Sequence, residues 1–231
     1  MRDLLVLWDV DYTLVNAGRL GTRMYEAVFR ELFGRDLPAV APKAGRTDRA
    51  ILLDTLALAG VAEPRAHVDK FLAALAQRVS ALDGSVQSEV RALPGASAAI
   101  AALAAADCRQ SVLTGNIRPL AALKLAAAGL SEHLDLDVGA YGDRHEVRSE
   151  LVPVARQAAR AAYGVDFSGL STVLVGDTPL DVAAALATGA RAVGVATGSF
   201  AAADLVTAGA HAVLPDLSDV PLLLAAVIGQ P

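Results

Sequence analysis

The sequence predicts an α/β fold: a mostly parallel sheet covered by helices on both faces, with a helical insertion near its start. Three observations support this. Short apolar bursts recur at 4–8, 111–113, 134–138, 172–175, 191–195 and 212–214. Helical spacing of apolar residues fills the stretches between them, and the connections after the second burst are short, which implies right-handed crossovers between parallel strands. Between the first two bursts, residues 16–92 hold no convincing strand, and a gap of that length does not fit a connection inside a compact sheet.

The first strand, 4–8, ends abruptly in Asp9 and Asp11. The insertion shows helical spacing over 20–33, 47–59 and 66–82, with hinges expected near 15–18 and 92–95. The core therefore divides into 1–15 and 93–231, and the insertion occupies 16–92. Further helices are expected at 95–106, 117–128, 150–163, 179–188, 201–209 and 220–228. The second burst ends in Thr114-Gly115-Asn116. The third, 134–138, is the most heavily charged. The fourth ends in Gly176-Asp177-Thr178, and the fifth in Ala196-Thr197-Gly198.

Composition narrows the class. The chain has 231 residues, 54% hydrophobic and 19% charged, which describes a globular protein and not a disordered one. Its net charge of −5 argues against a nucleic-acid partner, since such proteins carry a basic excess. The single cysteine, Cys108, excludes an intrachain disulfide framework and a thiolate-only zinc site, and reads as a small core or boundary residue. His67, His133, His145 and His211 lack metal-ligand spacing. The first apolar run is shorter than the core of a secretion signal, and the tail run over 220–228 is interrupted by Pro221, so neither a membrane segment nor a membrane partner is expected. The expectation is a cytoplasmic protein, monomeric or homodimeric.

The chemistry starts at the aspartates. A buried strand should not end in two mutually repelling carboxylates unless something compensates their charge. A metal ion would do so, and a carboxylate beside it can act as a nucleophile, so the pair reads as the centre of a phosphoryl-transfer site. In an open parallel sheet, ligands sit beyond the carboxyl ends of the strands. Asp9, Asp11, Thr114, Gly115, Asp177 and Asp181 all fall at or just past such ends and converge on one rim. Asp177 can reach the same cation, and magnesium suits a set of hard oxygen donors. Asp181 reads as the third position of a capping box behind Thr178 and Pro179. Thr114 and the amides of Gly115 and Asn116 stand where a strand meets a helix N-terminus, a corner suited to phosphate oxygens, although Asn116 reads equally as a helix cap. No glycine-rich nucleotide fingerprint follows the first strand.

Taken together, Asp9-Val-Asp11-Tyr-Thr13, Thr114-Gly115-Asn116, a basic residue further on, and Gly176-Asp177-Thr-Pro-Leu-Asp181 resemble the haloacid dehalogenase (HAD) superfamily. The branch resembled has a Rossmann-like core and a helical cap inserted after the first strand. The resemblance implies that Asp9 attacks phosphorus to form an aspartyl-phosphate, and that Asp11 protonates the leaving oxygen and later takes a proton from water. It implies a magnesium shell of the Asp9 side chain, the Asp11 main-chain oxygen and Asp177, with Asp181 at the metal site. Crowding is expected to raise the proton affinity of one member of the Asp9–Asp11 pair, which suits an acid/base role.

The superfamily also uses a cation, commonly a lysine followed by proline, to hold the phosphoryl oxygens. Here the chain departs from the pattern, because no lysine follows Lys124. Arg148 is preferred for that role, ahead of Lys124, which reads as a solvated residue on the preceding helix, and of Arg144. Within 19–49 there are seven basic residues against four acidic ones. Most read as helix surface, but Gly45-Arg46-Thr47-Asp48 is a loop entering a helix, and Arg46 is the expected specificity residue. The implied activity is a magnesium-dependent phosphatase for a small phosphorylated metabolite such as phosphoglycolate or a sugar phosphate. The alternatives are a 2-haloacid dehalogenase, a sugar-phosphate mutase of the same fold, a phospho-accepting signalling domain, or a non-catalytic binding module.

Overall fold

A computed structural model of the chain describes residues 3–82, 86 and 88–229. Residues 83–85 and 87 of the expected insertion, and both termini of the expected core, lie outside the described residues.

The sheet is built from β1 (Leu5–Trp8), β4 (Arg109–Thr114), β5 (Ala140–Tyr141), β6 (Thr172–Gly176), β7 (Arg191–Val195) and β8 (Ala212–Leu214), in the order β5-β4-β1-β6-β7-β8. Every pairing in it is parallel. β1 lies inside the sheet and its four side chains are fully buried. Alternation along it serves two cores. Val6 and Trp8 pack on the face covered by helices α4 (Ala96–Ala105), α5 (Arg118–Ala127) and α9 (Val220–Ile228). Leu5 and Leu7 pack on the face covered by α6 (Leu151–Tyr163), α7 (Pro179–Ala187) and α8 (Ala202–Thr207). Burial of each such side chain contributes about 1.5–3 kcal/mol. The Trp8 indole donates to Gln110 Oε1 at 3.0 Å, so its one polar group is satisfied inside the core.

Between β1 and β4 the chain forms α1 (Leu20–Phe33), α2 (Asp48–Leu58) and α3 (Pro64–Ser80). Their limits follow local chemistry. Gly34 closes α1 in the left-handed conformation, Thr47 caps α2 by accepting from Ala50 N, and Pro64 opens α3. Tyr25, Phe29, Leu52, Phe71 and Leu75 join these helices, and their core is continuous with the α4/α5 face of the sheet. The chain leaves and re-enters through β2 (Val15–Asn16) and β3 (Arg91–Ala92), two short strands paired antiparallel where hinges are expected.

One expected element is corrected. Residues 134–138 form no strand, and the sheet instead gains the two-residue β5 just after them. The two aspartates in the segment explain the difference. Asp135 Oδ1 accepts from the Asp137 amide, the Ser111 hydroxyl donates to the Asp135 carbonyl, and the Tyr141 hydroxyl donates to the Leu136 carbonyl. Side chains thus satisfy a turn that an apolar alternation would otherwise have offered to the sheet.

Candidate active site

The carboxyl ends of β1, β4 and β6 meet at a cavity of about 580 Å³, lined by Asp9, Asp11, Thr114, Asn116, Lys124 and Asp177 from the sheet side. Lys43, Gly45 and Arg46 contribute to its wall from the helical insertion. Of the acids expected at the rim, Asp9, Asp11 and Asp177 line it and Asp181 is buried beside Asp9 and Asp177; the four divide into two groups with different partners.

Asp9, Asp177 and Asp181 form one group. They are buried, and each offers an oxygen within 4.8 Å of the others. Arg148 sits among them. Its Nη2 donates to Asp9 Oδ1 at 2.8 Å and to the Leu113 carbonyl at 3.1 Å, and it pairs with Asp181 Oδ1 at 2.5 Å. Arg148 Nη1 reaches the Gly45 carbonyl of the insertion at 3.4 Å. Burial pushes the Asp9 carboxyl up to about 6, with Arg148 opposing and Asp181 adding to the rise. Burial, followed by the charges of Asp9 and Asp181, pushes Asp177 up to about 8. With all three ionised, one guanidinium would leave two negative charges uncompensated, a deficit that one divalent cation would fill. The donor set of hard carboxylate oxygens fits magnesium in kind. Thr13 adds a hydroxyl donor to Asp177 Oδ1 at 3.3 Å.

Asp11 stands apart from that group. Lys124 Nζ donates to its two carboxylate oxygens at 2.8 and 2.6 Å, and Asn116 Nδ2 donates to Oδ2 at 2.8 Å. Burial alone would raise the Asp11 carboxyl, but these contacts outweigh it and hold the group below its ordinary value. One member of the pair is raised, but it is Asp9, and burial rather than crowding by Asp11 is the main cause. The expectation of a solvated Lys124 is corrected. Its side chain is 4% exposed and its ammonium also donates to Asn116 Oδ1 at 2.8 Å, because α5 turns this position inward over the rim. Arg148 and Lys124 thus hold different aspartates, one cation for each.

Asn116 does not cap a helix. Ile117 is the first residue flanking α5, and the Asn116 amide donates to Asp11 and to Thr114 Oγ1. The Thr114 oxygen accepts from both the Asn116 backbone N (3.3 Å) and its side chain (2.8 Å), which leaves the hydroxyl hydrogen to be donated elsewhere. Asp181 fulfils its capping reading: Thr178 N and Oγ1 donate to Asp181 Oδ2 at 3.0 and 2.6 Å, while its other oxygen faces Arg148.

Arg46 is part of the cavity wall. Its guanidinium is occupied within the insertion by Asp54 Oδ2 at 2.6 Å and the Pro42 and Ala50 carbonyls. The loop nevertheless reaches the core through its backbone. A Cβ on Gly115 would lie 2.0 Å from the Arg46 carbonyl oxygen, so only glycine admits the loop there. Two insertion residues were not singled out by sequence reasoning. Lys43 donates to Thr22 Oγ1 at 2.7 Å and faces the cavity, where burial and the nearby Lys124 charge lower its pKa. Asp48 is buried against the core. Lys43 was visible only as one cation among seven, and Asp48 only as the start of a helix.

A family model described as haloacid dehalogenase-like hydrolase matches residues 6–186, and the chain belongs to this hydrolase family. A protein named phosphoglycolate phosphatase, plasmid, from Cupriavidus necator is 31% identical over 227 residues, covering 95% of this chain and 92% of the relative. Among solved structures, a predicted phosphatase from Clostridium acetobutylicum superposes with a TM-score of 0.67 at 17% identity, covering 95% of this chain and 97% of that one. A hydrolase from Pseudomonas syringae gives 0.66 at 20% identity, covering 95% and 96%. These likenesses between structures concern the fold.

Proposed function

We propose that this hydrolase is a magnesium-dependent phosphatase acting on a small phosphorylated metabolite, with residues 16–92 serving as its cap. The observation that carries this reading is the pairing of two differently held aspartates, Asp9 and Asp11, at one end of a cavity of about 580 Å³. The volume suits a small metabolite, and the Cupriavidus relative's name favours phosphoglycolate as the first substrate to try.

In this reading the Asp9 carboxylate attacks phosphorus, the ester P–O bond breaks, and the leaving oxygen takes a proton from Asp11. Water then attacks the phosphorylated Asp9, gives a proton to Asp11, and releases inorganic phosphate. Asp9, Asp177 and the Asp11 carbonyl would hold a magnesium ion, which supplies charge neutralisation for the transferring phosphoryl group. The Thr114 hydroxyl and the Gly115 amide orient phosphoryl oxygens, Asn116 holds Thr114 and Asp11 in place, and Arg148 keeps Asp9 aimed. In the ligand-free geometry Lys124 holds Asp11 ionised, as a base should be. An incoming dianionic phosphate competes for Lys124 and raises the Asp11 pKa, so arrival of substrate itself readies the acid. Lys43 adds a second cation on the cap side, suited to a further anionic or hydroxyl group of the substrate.

The test is turnover of p-nitrophenyl phosphate, phosphoglycolate and a set of sugar phosphates, with magnesium and then with EDTA. Magnesium-dependent phosphate release is expected. Metal-independent turnover, or chloride release from a 2-haloacid, would overturn the reading in favour of a dehalogenase.

A further inference from the structure

Helix α5 begins without a cap of its own: Ile117 flanks it and supplies no side-chain acceptor. The acceptor comes from the insertion. Ile117 N donates to Asp48 Oδ2 at 2.8 Å, across 69 positions of sequence. The Tyr25 hydroxyl donates to Asp48 Oδ1 at 2.6 Å, fixing the carboxylate from the insertion's side. Two backbone bonds accompany these contacts, Asp48 N to the Gly115 carbonyl at 2.7 Å and Arg49 N to the Gly142 carbonyl at 3.0 Å. Asp48 is 6% exposed, and no ion pair among the described residues neutralises it. Burial pushes its pKa up, while its two hydrogen-bond donors, the Lys124 charge and the positive end of the α5 dipole favour the carboxylate.

What α5 carries gives this contact its meaning. Asn116 lies just before the flanking Ile117 and Lys124 lies about two turns along the helix, and these two side chains hold Asp11. We propose that Asp48 is a positioning residue that couples seating of the insertion to the alignment of Asn116 and Lys124 on Asp11. When the insertion seats, its carboxylate completes the helix N-terminus and fixes α5 against the rim. When it lifts, Ile117 N–H loses its acceptor and the Asp11 clamp loses its reference. The proposal rests on Asp11 being the proton carrier.

The test compares wild type, Asp48→Ala, Asp48→Asn and Tyr25→Phe by steady-state kinetics with p-nitrophenyl phosphate and by hydrogen exchange of the 114–118 amides. Asparagine can accept from Ile117 N through its oxygen while its amide donates to the tyrosine oxygen. Asp48→Asn should therefore keep kcat within about threefold of wild type. Asp48→Ala should lower kcat by about ten- to a hundredfold, with KM changed less, and should accelerate exchange at 114–118. Tyr25→Phe should fall between the two. A merely structural Asp48 would lower the melting temperature while leaving kcat of the folded fraction unchanged, and that result overturns the proposal. So does a kcat loss without faster exchange, or an asparagine variant as impaired as alanine. If wild type hydrolyses no phosphate ester, the functional reading falls, and the exchange comparison still confirms or overturns Asp48 as the cap of α5.

Discussion

Asp9 and Asp11 lie one residue apart yet shift in opposite directions, because burial dominates at Asp9 whereas Lys124 and Asn116 outweigh it at Asp11. Replacing Asp9 by asparagine keeps shape and volume but removes the attacking oxygen's charge. Asp9→Asn is expected to reduce kcat by about a thousandfold or more while circular dichroism and melting temperature stay near wild type. The raised Asp9 and Asp177 also set a pH dependence. Their folded-state pKa values, about 6 and about 8, exceed the ordinary 3.8, so the folded chain binds more protons than the unfolded one across that interval. Stability without metal should then fall as pH rises from about 4 to about 8, and magnesium should restore it. Thermal melts at several pH values in EDTA and in excess magnesium check this. A flat metal-free profile would contradict it. The acids themselves were legible in the sequence because each follows an apolar strand. The partners of Asp11 were not, since Lys124 lies 113 residues away and helical periodicity reports only the face of its own helix.

At the scale of elements, the helices were the most legible features, and α1 spans the expected 20–33 as Leu20–Phe33. Apolar spacing, Gly34 and the Thr178–Asp181 capping box explain why, since each signal is local. The failure at 134–138 is equally local in cause: Asp135 and Asp137 turn the backbone on itself. What no local signal reveals is how closely elements approach. The β4–α5 corner depends on Gly115, where any Cβ collides with backbone rather than with a yielding side chain. Gly115→Ala should force the 45–47 loop away from the core, costing about 1–3 kcal/mol in a denaturant titration and most of the activity. Unchanged stability would mean that the loop is free to retreat.

Across the whole molecule, the contacts that seat the insertion differ in worth. The Tyr25–Asp48–Ile117 contacts are buried, and Thr47 Oγ1 donates to the Glu146 carbonyl at 3.0 Å in a part-buried position. The Arg65–Glu146 pair also joins insertion to core, but its arginine side chain is 71% exposed. Solvent screening leaves such an exposed pair little weight in holding the insertion. Glu146→Ala, which keeps the backbone carbonyl, should therefore leave kcat within about twofold and the melting temperature nearly unchanged. A large loss would show that the rim pair, rather than the buried set, governs closure. The basic excess over 19–49 looked from sequence like an attractive field for an anion. In the fold, Arg19, Arg23 and Arg30 are spent on Glu26, Glu89 and Asp36 at the surface, and Lys43 faces the cavity.

The paired strands Val15–Asn16 and Arg91–Ala92 place the outgoing and returning chain side by side. Everything between them hangs from one doorway scarcely wider than a hairpin. A short turn could bridge that doorway, and a different helical cassette could be spliced through it without disturbing the register of a single sheet strand.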